Sequence, residues 1–153
     1  MIEPAQIADV PRLVEIGHAM AQESPRWRRL AYSAEKVGNT ITALLGTADG
    51  LVLVYRKQGE IVGGIMARVA SNWMSDDRIA QEIALFILPE HRASFAACRL
   101  ISAMTAWAHI KGARWIEAGI STGVETTERT AQLYERLGFE RFQIGLECVN
   151  HGN

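Results

Sequence analysis

The sequence predicts a mixed α/β fold: two helices, three β-strands in succession, then helix, strand, helix, strand. Three observations carry this. Val- and Ile-rich runs between residues 51 and 88 are separated by polar turn segments. Ala97, Leu100, Ile101, Met104 and Ala108 recur at helical spacing. Gly112 and Gly138 then stand where helices of this length stop.

The elements follow in order. Asp9 before Val10-Pro11 is an Asx cap with an early proline, so a helix starts near residue 10. Leu13, Ile16, Gly17 and Met20 carry its apolar face to about residue 22, and Ser24-Pro25 stops it. Arg26-Trp27-Arg28-Arg29 reads as a loop or short irregular turn. Ser33 caps a second helix with Val37, Ile41, Leu44 and Leu45 as its stripe. Asp49-Gly50 is a turn, residues 51–55 a strand, Gln58-Gly59 a hairpin turn, and residues 61–69 the return strand. Gly63-Gly64 within it signals a bulge or a close backbone approach. Residues 72–77 form a polar loop. Residues 79–88, apolar on both faces and closed by Pro89, suit the centre of a sheet. A helix from about Ala93 to Gly112, a strand over 115–120, a helix over 125–137 and a last strand over 142–149 complete the chain, with an extra short strand possible at Ile2.

Composition bounds the function. A length of 153 residues fits one domain, 1–153, and 48% hydrophobic residues supply an ordinary core. A net charge of −1 gives no field of the kind that nucleic-acid binders carry. No apolar run reaches the roughly 18–20 residues of a membrane span. The start, MIEPAQIADVPRL, lacks the basic and apolar segments of a signal peptide, so a cytoplasmic protein is expected, with no membrane partner. Cys98 and Cys148 have no metal-ligand spacing and the four histidines are scattered, so no metal is expected.

Two constellations carry chemistry. The first is a strand followed by Pro89-Glu90-His91-Arg92 and a helix start of mostly small residues, Ala93-Ser94-Phe95-Ala96-Ala97. Free N–H groups at a helix start, a low surface and a fixed guanidinium suit a pyrophosphate. The second is Leu133-Tyr134-x-x-x-Gly138-Phe139. Gly138 closes a helix and Phe139 packs back on it, which accounts for every residue but the tyrosine.

Together, at this separation, these motifs resemble the GNAT (Gcn5-related N-acetyltransferase) family over nearly the whole chain, from Ile2 to about Val149. Ala21 to Arg26 and Gly119 to Val124 are similar to small members carried by phages and prophages. The resemblance implies a mixed, mostly antiparallel, twisted sheet of six to seven strands, splayed between strands 4 and 5 and flanked by four helices. It implies acetyl-coenzyme A as cosubstrate and a small-molecule or protein amine as acceptor. Arg92, Phe95 and Ala97 take the three positions of the family's pyrophosphate pattern, Phe95 standing where glycine is usual. A first-turn residue has negative φ, so Phe95 has no backbone penalty, and its ring can turn away. The implied cofactor-binding set is Phe86, Ile87, Leu88, Arg92, Ala93, Ser94, Phe95, Ala96, Ala97, Thr127 and Tyr134. Tyr134 would protonate the leaving thiolate, and Glu82, ten positions before Arg92, matches the general base of the histone-acetyltransferase branch. Trp27, Arg28, Trp73 and Ser121 are the implied acceptor-binding residues. The cluster Arg26 to Arg29 leaves open an enzyme acylating a modified nucleobase, and Phe95 leaves open a binding or regulatory protein without catalysis. A homodimer is a further expectation by resemblance.

Overall fold

The computed structural model describes residues 1–151. Five strands form one sheet in the order β1 (Ile2–Pro4), β2 (Gly50–Lys57), β3 (Glu60–Ala70), β4 (Ile79–Ile87) and β5 (Trp115–Glu117). The first four run antiparallel to their neighbours, and β5 joins β4 in parallel. The helices are α1 (Val10–Glu23), α2 (Ala34–Leu45), α3 (Ala96–Ile110) and α4 (Thr127–Arg136).

Alternation along the strands divides the core into two layers. Val52 and Val54 of β2, Ile61 of β3 and Phe86 of β4 pack with Leu13 and Ile16 of α1 and Ile41 and Leu44 of α2. Leu53, Ile65 and Ala67 face the other way, against Leu100, Ile101 and Met104 of α3 and Tyr134 of α4. The sheet therefore lies between two helical layers.

Local chemistry sets the boundaries. Gln58 (φ 52°) and Gly59 (φ 86°) make the two-residue hairpin with Lys57 opposite Glu60. Ser33 accepts a bond from the Lys36 N–H at 3.1 Å and caps α2. Asp9 stands at the α1 cap position without capping it. Its carboxylate instead accepts from the Gln6 N–H and from Arg56. The Gly63-Gly64 pair reflects close approach: a Cβ on Gly64 would stand 2.6 Å from the Phe86 ring and 2.8 Å from the Leu53 carbonyl.

The structure differs from the sequence expectation at the carboxyl end. The sheet has five strands, not six or seven, and β5 stops at Glu117 rather than at residue 120. Residues 142–149 form no strand, and Phe142, Ile144 and Leu146 are exposed. Their alternation is strand-like, but β5 offers only three residues of edge, so there is no ladder to join. Ion pairs anchor this tail: Glu147 with Arg26 and Arg29, and Arg141 with Glu128 and Glu135. Helix α3 starts at Ala96 rather than Ala93 because Pro89–His91 first winds a 3-10 turn.

Candidate active site

The site grows from a fork in the sheet. β4 and β5 pair only from Ile79↔Trp115 to Gln81↔Glu117. From Glu82 to Ile87, the edge of β4 towards β5 has no strand partner. On its other edge, Met66 pairs with Ala84 and Ala67 with Glu82, so Ile83 is an extra residue and β4 bulges there. Glu82 is thus the first residue past the last rung. A cleft of about 250 Å³ opens at the fork, walled by Gln81, Glu82 and Ile83 on one side and Glu117, Ala118 and Gly119 on the other.

Tyr134 reaches this point from α4. It is buried, and its hydroxyl donates to Oε2 of Glu82. The end of α4 fixes the ring. Gly138 takes φ 94°, the Phe139 N–H donates to the Tyr134 carbonyl at 3.1 Å, and the Phe139 ring meets Tyr134 edge-on at 5.1 Å. Burial pushes the Glu82 carboxyl up to about 7, although the Tyr134 hydrogen bond pulls the other way. Burial, and then the Glu82 carboxylate, hold the Tyr134 phenol above its ordinary value. A carboxyl group that gains and loses its proton near neutrality, in contact with a phenol, is suited to proton transfer.

The junction between β4 and α3 lies farther along the same strand. Arg92 donates from Nε to the Ile87 carbonyl at 2.9 Å and grips Glu23 with both terminal nitrogens, each at 2.5 Å. The guanidinium holds the Glu23 carboxyl below its usual range. Ala93 and Ser94 are exposed, and Ala97 is half-buried at the surface of the first turn. Phe95 stands at the α3 cap position with φ −76° and is 82% exposed, so its ring projects into solvent and does not fill the junction. Ala96 is buried beneath. An open surface of small residues beside an arginine fits a pyrophosphate. Thr127 opens α4 and donates its hydroxyl to the Val124 carbonyl. The Leu88 N–H is already donated to the Val62 carbonyl at 2.9 Å, so strand alternation turns the Phe86 amide towards β3 as well and leaves the Ile87 amide on the unpaired edge. The Phe86 side chain is buried against Gly64.

The four residues expected at an acceptor site do not wall the fork cleft. Trp27 lies under the Arg26 guanidinium at 4.9 Å, and Arg28 is exposed in the 3-10 turn Trp27–Arg29. Trp73 is 94% exposed. Ser121 is exposed, and its carbonyl accepts from Arg26 at 3.4 Å. The sequence reading also missed Glu117 and Glu23. Glu117 accepts from the Trp115 indole at 3.1 Å and from Gln81 at 3.4 Å, and Arg68 in turn holds Gln81. Rung pairing across the parallel strands was the only signal for it. Glu23 meets a partner 69 residues away and left no local mark. Among the described residues, no group of three or more His, Cys, Asp or Glu is placed to hold a metal.

The acetyltransferase (GNAT) domain family matches residues 48–141, which takes in the fork, Arg92 and Tyr134. The chain belongs to the GNAT acetyltransferase family. It is accordingly an acyltransferase. No curated relative matches the sequence. Among solved structures, a transcriptional regulator from Bacillus halodurans C-125 superposes with a TM-score of 0.77 at 17% identity, over 97% of this chain and 98% of its own. AAC(6')-Iy, in complex with the bisubstrate analogue CoA-S-monomethyl-acetylneamine, gives 0.76 at 15% identity over 99% and 98%. A ribosomal-protein-alanine N-acetyltransferase from Brucella melitensis biovar Abortus 2308 gives 0.73 at 15% over 97% of each. At these identities the likeness is one of fold. The acetyltransferase has no helix, among its described residues, long and apolar enough to cross a membrane.

Proposed function

We propose that this acetyltransferase moves an acetyl group from acetyl-coenzyme A directly to a primary amine, with Glu82 as general base and Tyr134 as general acid. The observation that carries the reading is the buried Glu82–Tyr134 pair at the fork, beside an unpaired strand edge. The pyrophosphate would rest on Ala93, Ser94 and the first turn of α3, with Arg92 as its cation. The pantetheine arm would take the place of the missing strand partner along Phe86 and Ile87, and a backbone N–H there would polarise the thioester carbonyl. Glu82 takes a proton from the attacking amine and Tyr134 gives one to the departing sulfur. An alkylamine attacks in its neutral form, and the new C–N bond leaves a surplus proton on nitrogen that a base at the cleft can take.

The acceptor class follows from charge. Arg26 and Arg29 are engaged by Glu147, which weakens the case for a nucleobase or phosphate-bearing acceptor. Glu82 and Glu117 at the cleft favour an amine that enters as a small molecule or a protein terminus. The aminoglycoside and ribosomal-protein enzymes of the same fold agree with either. We place the protein in the cytoplasm on the same family reading.

The test is thiol release from acetyl-coenzyme A across a panel of polyamines, aminoglycosides, amino acids and peptides. Turnover with at least one amine is expected, and Tyr134→Phe should lower kcat far more than it raises the Kd for coenzyme A. A protein that neither releases thiol nor gains thermal stability with coenzyme A would overturn the reading.

A further inference from the structure

The contact between Glu82 and Tyr134 has a direction. The phenol donates and the carboxylate accepts. A phenol has one hydrogen, so while it is spent on Glu82 it is not available to a sulfur. Tyr134 is buried, with the Phe139 ring edge-on to it and the α3 residues Leu100, Ile101 and Met104 in the same cluster. An acid that is occupied by the base cannot act until the base has changed state.

We propose that proton uptake by Glu82 reverses this hydrogen bond and thereby arms Tyr134, so that base and acid fire in a fixed order. This rests on the acid and base roles proposed above. A neutral amine attacks the thioester carbon and a C–N bond forms. The nitrogen gives its surplus proton to the Glu82 carboxylate. The new carboxyl O–H donates to the phenol oxygen, and the phenolic hydrogen swings to the sulfur. The C–S bond breaks with its electron pair on sulfur, which takes the phenolic proton. The phenolate takes the proton from Glu82. Amide and thiol leave, and the pair returns to its starting state with no proton exchanged with water.

The surroundings of the pair agree with the order. Burial pushes the Glu82 carboxyl up to about 7, so its protonated form is accessible near neutrality. The Glu82 charge helps hold the phenol proton on, after burial, so its neutralisation makes Tyr134 a stronger acid at the moment one is needed. Among the described residues, the other charged groups that line the cleft beside Glu82 are Glu117 on β5 and Arg68 on β3. Neither is altered in the variants below.

The experiment is NMR of the full chain carrying carbon-13 at the tyrosine ζ position, titrated from pH 5 to pH 9 without ligand. The chain has three tyrosines, and Tyr134→Phe assigns the signal. The Tyr134 resonance should shift through one step centred near pH 7, as the phenol changes from acceptor to donor. The step should vanish in Glu82→Gln. A flat wild-type signal, or a step that survives in Glu82→Gln, overturns the proposal. Thiol release from acetyl-coenzyme A with hydroxylamine, a small amine unprotonated at neutral pH, provides the kinetic arm. Each single variant should lose about a hundredfold, and the double variant should lose no more than the worse single one. Multiplying losses overturn the coupling while leaving independent acid and base roles intact. Singles with wild-type rates would instead remove the acid–base reading itself, and the NMR step would still judge the reversal.

Discussion

Folding places the Glu82 carboxyl where ionisation is costly, and stability should record it. Its pKa rises from 4.5 to about 7 on folding, so between those values the folded chain holds the proton that the unfolded chain has released. Stability therefore falls as pH rises through that window and stays low above it. Glu82→Gln removes the ionisation. Relative to wild type, the variant should gain on the order of 3 kcal/mol between pH 4.5 and pH 8, read from denaturant midpoints at each pH. The same ionisation should appear in kcat, which rises with pH around neutrality in the wild type and flattens in the variant. Glu23 makes a second residue-scale case. Its pairing with Arg92 is about one-third exposed, so it is worth roughly 0.2–1 kcal/mol. On the proposed role of Arg92, phosphates compete with Glu23 for the guanidinium. Calorimetry should show coenzyme A binding Glu23→Gln up to about fivefold more tightly than wild type, a difference that shrinks in high salt.

At the scale of single elements, β3 leaves no room at Gly64 for a side chain between its two neighbouring strands. A Cβ on Gly64 meets the Leu53 carbonyl at 2.8 Å, and a backbone carbonyl cannot swing aside. Gly64→Ala should cost about 1–3 kcal/mol in chemical denaturation. What the sequence revealed here, and what it hid, have physical reasons. Strands β2 to β4 were legible because Val and Ile runs and the Gln58-Gly59 turn are local signals. The ends of α3 and α4 were legible through Gly112 and Gly138, both at positive φ. Residues 142–149 read as a strand because their alternation is correct, but a strand also requires an edge to pair with, and β5 is too short to give one. The Ile83 bulge is set by the neighbouring strand, not by its own residues. Tyr134 and Glu82 were legible singly. Their direct contact, 52 residues apart, was not.

For the whole molecule, the sheet is the middle of three layers, so neither face is dispensable. Leu13 and Met104 lie on opposite sides and are both buried, at 3% and 0% exposure. Leu13→Ala and Met104→Ala should each cost about 2–5 kcal/mol. Each should also shift one common transition, seen alike by circular dichroism and tryptophan fluorescence, rather than split it in two. Coinciding curves support one cooperative unit; separated curves would show two independently melting layers.

The fork also leaves β4 a strand with one guarded side. Between Glu82 and Ile87, amides turned towards β3 are locked in a ladder, while their neighbours turned towards β5 meet none. Deuterium from the solvent should consequently enter this one stretch at two speeds, alternating residue by residue, and an occupied cleft should slow only the fast set.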